Sequence, residues 1–265
     1  MTAYTHYASL ENKCVFITGG ATGIGAEMVR AYMQQGAKVG FVDIDQVAAN
    51  KLLSELQSEH EQLLKTKAHT CYLPWFQSCD VAEVGSLNQA IQYFVEQYHT
   101  IHVLINNVAN DQRMCTQDIS ETQWQQCLQV NLNSAFFAAQ AVLPLMREKN
   151  SGVIINFSSI NTFIAPEKMV GYNTAKAGII GLTKSLANEY GQYNIRVNAL
   201  TPGWVATEKQ LQSWLTEEEE HKWTSQMAIK QRIYPEHVAK LALFLGADDS
   251  AMITGQSIAI DGGRL

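Results

Sequence analysis

Lys13-Cys14-Val15-Phe16-Ile17-Thr18-Gly19-Gly20-Ala21-Thr22-Gly23-Ile24-Gly25 is the most informative run in this chain. Its first six residues favour a β-strand, its glycines break that strand into a tight loop, and Ala26 to Gln35 continues with helical spacing. A strand, a glycine loop and a helix in that order set the unpaired N–H groups and positive dipole of a helix N-terminus behind a backbone that a pyrophosphate can approach. The unit reads as a dinucleotide cradle. Glycine loops also make ordinary tight turns, so the flanking strand and helix carry the reading.

Downstream, Lys38-Val39-Gly40-Phe41-Val42 is a second strand that ends in Asp43-Ile44-Asp45. At that tip Asp43 either accepts both hydroxyls of an adenosine ribose or caps the helix predicted over Gln46 to Gln57. Its carboxylate would repel a 2′-phosphate, and neither Ala21 nor Thr22 is basic, which favours NAD over NADP. The polar stretch 58–69 reads as helix end and loop. Leu73 to Val81 is a third strand, with Pro74 marking its start or a sheet edge. At its carboxyl end Asp80 either meets the adenine or caps the helix predicted over Ala82 to Tyr98.

Ile101 to Ile105 forms a fourth strand, closed by Asn106-Asn107-Val108-Ala109-Asn110-Asp111-Gln112-Arg113, whose paired amides suit ribose contacts or the tying of neighbouring strands. Apolar spacing from Trp124 to Leu145 predicts one long packed helix. Asn131 inside it must bond a backbone carbonyl or hold a water near the active centre. Gly152 to Phe157 is a fifth strand that delivers Ser158-Ser159-Ile160-Asn161, where a hydroxyl is placed to hold a substrate oxygen.

Next, Gly171-Tyr172-Asn173-Thr174-Ala175-Lys176-Ala177 places a phenol and an ammonium one helical turn apart. A cation there lowers the phenol from about 10 and makes Tyr172 a general base; the same spacing also arises on any amphipathic helix with an exposed Tyr and Lys. Ile195 to Leu200 is a sixth strand, left through Thr201-Pro202-Gly203-Trp204-Val205-Ala206-Thr207. Segment 204–233, with Trp214, Trp223 and the acidic run Glu217 to Glu220, is a candidate substrate lid or a solvated helical face. Val238 to Leu245 is a helix and Ser257 to Gly263 a closing strand.

With 265 residues, 46% of them hydrophobic, the chain fits one large α/β domain spanning residues 1–265. Its 19 Lys+Arg against 25 Asp+Glu give a formal charge of -6, and no basic cluster appears, so no nucleic-acid or anionic-membrane partner is expected. Cys14, Cys71, Cys79, Cys115 and Cys127 are odd in number without a C-x-x-C pair, which predicts reduced, mostly buried thiols and a cytoplasmic location. His69, Cys71 and Cys79 lack a fourth ligand, so no metal is expected. No segment approaches the length of a bilayer span, and the protein is expected to be soluble.

Taken in order, Thr18-Gly19-x-x-x-Gly23-x-Gly25, Asn106-Asn107, Ser159, Tyr172-x-x-x-Lys176 and Pro202-Gly203 resemble the short-chain dehydrogenase/reductase family over about residues 10–263. The resemblance implies a single-domain, doubly wound Rossmann-type fold: a parallel seven-stranded sheet with helices on both faces. It also implies a homotetramer joined through the Asn131 and Tyr172 helices. By the same resemblance Tyr172 is the acid/base and Lys176 holds the nicotinamide ribose and lowers the phenol. Ser159 binds the reacting oxygen, matched over Ser158 by its distance from Tyr172, and Asn131 supports a proton-relay water. Gly19, Thr22, Gly23, Ile24, Gly25, Asp43, Ile44, Asp80, Val81, Asn107, Val108, Ala109, Tyr172, Lys176, Pro202, Gly203, Val205 and Thr207 would line NAD.

One departure stands out: the family's usual Asn-Asn-Ala-Gly is here Asn106-Asn107-Val108-Ala109, so the backbone has less freedom and the loop 110–113 is re-aimed. That loop resembles the one in members that oxidise aldoses at the anomeric carbon. A sugar has apolar faces and hydroxyl edges, and Asn110, Asp111, Arg113, Ser159, Asn161, Glu167, Tyr172 and Trp204 fit that demand; the loop residues among them would serve equally to stabilise a surface. The expected activity is an NAD-dependent dehydrogenase that takes hydride from a CH–OH group of a sugar or polyol. The alternatives are a 3-oxoacyl thioester reductase or another secondary-alcohol dehydrogenase of the same family, and a non-catalytic NAD-binding protein on this scaffold.

Overall fold

Apolar runs with little charge bury both faces of a strand, and here seven such strands pair into one parallel sheet. The computed structural model describes residues 4–66, 71–213 and 216–265. The strands are β1 (Cys14–Thr18), β2 (Lys38–Asp43), β3 (Trp75–Ser78), β4 (Val103–Asn106), β5 (Gly152–Phe157), β6 (Ile195–Pro202) and β7 (Ser257–Ile260), and they lie in the order β3-β2-β1-β4-β5-β6-β7. Side chains alternate across the sheet, so Val15 and Ile17 of β1 enter one core while Cys14 and Phe16 enter the other.

The first core is closed by α1 (Gly23–Gln34), α2 (Gln46–Thr66) and α10 (Pro235–Gly246). The second is closed by α3 (Val84–Tyr98), α5 (Ser134–Glu148) and α7 (Val170–Tyr190). Strand order reverses between β1 and β4, and in open α/β sheets the crevice at such a reversal is where ligands bind.

Several predicted elements are redrawn. Helix α2 continues through the polar stretch to Thr66, because Leu56 and Leu63 pack inward while Glu59 turns outward to Arg30, 2.8 Å away. The helix predicted from Trp124 to Leu145 is α4 (Glu121–Leu128) and α5, joined by a π-helical turn over Gln129–Asn133. Strand β3 begins directly after Pro74 and lies at the sheet edge, where a missing backbone N–H does least harm. His69 and Trp214 lie outside the described residues. Among the described residues, no helix is long and apolar enough to cross a membrane, and no group of three or more His, Cys, Asp or Glu could hold a metal.

Two buried amides fasten α7 to the sheet. Asn106 of β4 and Asn156 of β5 are register partners; Asn106 Nδ2 donates to Asn156 Oδ1 at 2.9 Å, and Asn156 Nδ2 donates to Thr183 Oγ1 of α7 at 3.0 Å. This bond sits two turns beyond Lys176 on α7 and helps fix how that helix lies across the strand ends.

Candidate active site

The cradle is built at the end of β1. Gly19 takes φ +69, and a Cβ on Gly25 would stand 1.8 Å from Gly19 O, so a side chain at position 25 is excluded by the loop itself. Asn107 holds that loop from β4: its Nδ2 donates to Gly19 O at 2.8 Å and to Thr18 O at 3.2 Å, and its N–H donates to Thr18 Oγ1 at 3.1 Å. Thr22 occupies the N-cap of α1 with no side-chain cap, which leaves the first N–H groups of that helix for an anion.

Asp43 Oδ2 accepts from Ala21 N at 2.9 Å, placing the acid against the cradle. Asp45, not Asp43, caps α2, through Oδ1 accepting from Ala48 N at 2.9 Å. Asp80 closes a turn with Ala82 N at 2.9 Å and does not sit at the N-cap of α3, a position held by Glu83. Neighbouring Val81 is buried, whereas Ile44 and Ala109 are exposed.

Across the crevice, Pro202 and Gly203 end β6, with Gly203 N donating to Ile260 O at 2.9 Å. Val205 is buried and bridges to Ile233, and a Cβ on Gly23 would meet Thr207 Cγ2 at 3.1 Å. Thr207 therefore stands against Gly23 of the glycine loop, while Val108 packs against Gly19.

A second cluster forms where β5 and α7 meet. Lys176 is 2% exposed, donates to Phe157 O at 2.8 Å, and has its ammonium 5.9 Å from the Tyr172 ring centre. Burial pulls this lysine down to about 8. Tyr172 is also buried, and burial pushes its phenol up to about 12; the Ser159 hydroxyl acts in the opposite direction, while the charges of Asp111 and Cys127 push it further up. The lowering expected from Lys176 is not found here: its ammonium donates to Phe157 O, and burial dominates the phenol. Ser158 donates to Lys176 O at 2.9 Å and is engaged inside the fold, whereas Ser159 Oγ faces Tyr172 and accepts from Asn161 N at 3.2 Å.

Asn131 resolves its two options in favour of the backbone. Its Oδ1 accepts from Asn110 N at 2.8 Å, and its Nδ2 donates to Asn110 O at 3.1 Å and Cys127 O at 2.9 Å. Both N–H groups of the amide are thus spent on carbonyls, and Oδ1 keeps one lone pair beyond the bond from Asn110 N.

The substrate candidates are less uniform. Asp111 is held by α8 (Glu208–Ser213): its Oδ2 accepts from Gln210 Nε2 at 3.1 Å and its Oδ1 lies 3.4 Å from Lys209 Nζ. Trp204 donates to Gln210 Oε1 at 2.8 Å and packs edge-on against Trp223 of α9 (Glu217–Ser225), 5.4 Å between rings, so its indole is half-buried in segment 204–233. Asn161 begins α6 (Asn161–Ile164) and turns its amide to Met169 Sδ at 3.5 Å. Arg113 and Glu167 are exposed, the latter between Ala165 (φ 46) and Lys168 (φ 61), two non-glycine residues in the left-handed region.

Sequence reasoning overlooked Phe163, 56% exposed on α6 one turn from Ser159, and Cys127, whose Sγ contacts the Asn131 amide at 3.6 Å. An aromatic residue placed just after the serine pair was the available signal for Phe163.

A doubly wound sheet with a glycine cradle at its first βα turn, and with a phenol, an ammonium and a hydroxyl gathered on adjacent strand and helix ends, is the build of a nicotinamide-dependent oxidoreductase. Known proteins of similar sequence and structure agree. A family model described as enoyl-(acyl carrier protein) reductase matches residues 19–264. The chain is 40% identical to the "Probable galactose dehydrogenase" of Rhizobium meliloti (strain 1021), across 98% of this chain and 97% of that one. It is 38% identical to the D-xylose 1-dehydrogenase of Caulobacter vibrioides, across 97% of each. A solved 7α-hydroxysteroid dehydrogenase complexed with NADH and 7-oxo glycochenodeoxycholic acid superposes with a TM-score of 0.88 at 28% identity, covering 97% of this chain and 96% of that one. The chain belongs to the short-chain dehydrogenase/reductase family, whose members are NAD(P)-dependent oxidoreductases.

Proposed function

We propose that the protein is an NAD-dependent aldose 1-dehydrogenase in which Tyr172 takes the proton from a sugar hydroxyl. The observation that carries the chemistry is the buried trio of Tyr172, Lys176 and Ser159, with the Lys176 ammonium 5.9 Å from the phenol ring. Bound NAD supplies the hydride acceptor and, when oxidised, a positive ring. Ser159 holds the substrate oxygen beside the phenol, and Lys176, with donors left over after Phe157 O, takes a ribose hydroxyl. A positive charge bound in this crevice would offset the burial that pushes Tyr172 up to about 12 and bring it toward the working range of a base.

Asp43, fixed on the cradle through Ala21 N, accepts the adenosine ribose hydroxyls and disfavours a 2′-phosphate, which supports NAD over NADP. Asn107 shapes the loop around the cofactor, Asn131 holds Asn110 on the catalytic side, and residues 204–233 form the lid of a single domain, with Ala206 N donating to Ile233 O at 2.8 Å. The sugar reading draws on the galactose and D-xylose relatives and on Asp111, which is joined to Trp204 through Gln210 and lies close enough to Tyr172 for its charge to act on the phenol. We assign the protein to the cytoplasm from its free cysteines, and, from the family's common assembly, to a homotetramer joined through the Asn131 and Tyr172 helices.

The test is a panel of aldoses, polyols, 3-oxoacyl thioesters and hydroxysteroids with NAD and NADP, run on the wild type and on Tyr172→Phe. NAD reduction with aldoses, lost in Tyr172→Phe while NAD binding persists, is the expected result. Turnover of 3-oxoacyl thioesters with NADPH instead, or undiminished turnover in Tyr172→Phe, overturns the reading.

A further inference from the structure

The π-helical turn Gln129–Asn133 carries three amide side chains in five residues, and they are used on two different sides. Asn131 grips the loop at the catalytic end through both the N–H and the C=O of Asn110, at 2.8 and 3.1 Å. Gln129 reaches the other way: its Nε2 donates to Ala82 O at 2.9 Å, across 47 residues of sequence. Asn133 Nδ2 donates to Gln129 Oε1 at 2.8 Å, which settles which end of that amide faces the carbonyl. Ala82 N in turn donates to Asp80 Oδ1 at 2.9 Å, so the turn 80–82 is closed by Asp80 from within and braced by Gln129 from outside.

Residues two apart on a helix point to nearly opposite sides, and π turns inside α-helices occur frequently at functional sites. Here the wider turn lets one helix brace two loops at the carboxyl edge of the sheet. One follows β3, at the outer edge of the sheet beyond β2; the other follows β4 and includes Asp111, whose charge acts on Tyr172. The turn after β3 needs an outside brace because its strand is only four residues long and lies at the edge, paired on one side alone.

We propose that Gln129 is a positioning residue for cofactor binding: it fixes the Asp80–Val81–Ala82 turn against the adenosine half, while Asn131 in the same helical turn serves the catalytic half. The inference rests on the reading of residues 80–82 as the adenine wall. Gln129→Leu keeps bulk and removes the donor; Gln129→Glu keeps the acceptor for Asn133 and sets a carboxylate against Ala82 O. Asn133→Ala leaves Gln129 in place but frees its amide to rotate.

Isothermal calorimetry with ADP-ribose, which lacks the nicotinamide, reads the adenosine half directly. Both Gln129 variants are expected to raise its Kd up to about tenfold, the scale of one lost part-buried hydrogen bond, with Asn133→Ala shifting it in the same direction by less. KM for NAD should rise with Kd and kcat should change less, whereas Asn131→Ala should lower kcat and leave the ADP-ribose Kd within about twofold. An unchanged ADP-ribose Kd in folded Gln129→Leu, even with reduced resistance to urea, overturns the proposal. If Gln129→Leu does not fold, an unchanged Kd in folded Gln129→Glu and Asn133→Ala overturns it equally. Failure of the wild type to bind ADP-ribose would instead remove the cofactor reading beneath it.

Discussion

Replacing Lys176 by Met should stabilise the protein near neutral pH and destabilise it in alkali. Burial lowers this lysine from 10.5 to about 8, a difference equivalent to about 3 kcal/mol of unfavourable charge burial at 1.36 kcal/mol per pKa unit. Met removes the charge but leaves Phe157 O without the donor now 2.8 Å away, at a cost of about 1–3 kcal/mol. The net gain near pH 7 is then about 0–2 kcal/mol, or up to a few degrees in Tm for a chain of this size.

The pH dependence follows from where each state holds the proton. The unfolded lysine keeps its proton to 10.5 and the folded one releases it near 8, so between those values the unfolded chain binds more protons and wild-type stability climbs with pH. Lys176→Met lacks that climb. The stability difference between the two proteins should shrink above about pH 8 and reverse by about pH 10, leaving only the orphaned carbonyl. Tyr172 titrates higher in both proteins and largely cancels in the difference. Urea unfolding of both proteins at several pH values between about 6.5 and 10.5, without cofactor, measures it. A difference that stays constant across that range would refute the reasoning, because it would mean that the ammonium is not desolvated in the folded state.

Two further outcomes separate neighbouring residues. Ser159→Ala should lower kcat/KM by on the order of a hundredfold with little change in urea midpoint, whereas Ser158→Ala, which loses the bond to Lys176 O, should lose about 1 kcal/mol of stability; steady-state kinetics and urea unfolding of the pair check this. Gly25→Ala, whose Cβ would stand 1.8 Å from Gly19 O, should abolish NAD binding by calorimetry even where the rest of the sheet still folds.

The architecture was legible because its signals are local. The strand-loop-helix at Lys13 to Gly25, the apolar runs at β5 and β6, and the Tyr172–Lys176 spacing each state their structure within a few residues. The choice of Ser159 over Ser158 came from the family resemblance, through its distance from Tyr172. What was hidden depended on long-range partners. The break in the helix at Gln129 arises where amides reach Ala82 and Asn110, 47 and 21 residues away, and no periodicity announces that. Likewise the rise of the Tyr172 phenol comes from burial by the whole fold, whereas the one-turn proximity of Lys176 was visible locally. The outward face of Ser58 to Thr66 looked like loop because its apolar contacts, Leu56 and Leu63, are sparse among charges.

The amide pair across β4 and β5 has a consequence for how the sheet assembles. Both strands are buried along their whole length, so greasiness alone cannot distinguish the native alignment from one slid by two residues, which would keep every side chain on its own face. Sliding would part the two amides and leave the buried Asn156 carbonyl without its donor, at a cost of about 1–3 kcal/mol. Asn106 and Asn156 thus act as an alignment mark at the centre of the molecule, and swapping both for leucine should yield a chain that still collapses but no longer agrees with itself on a single strand alignment.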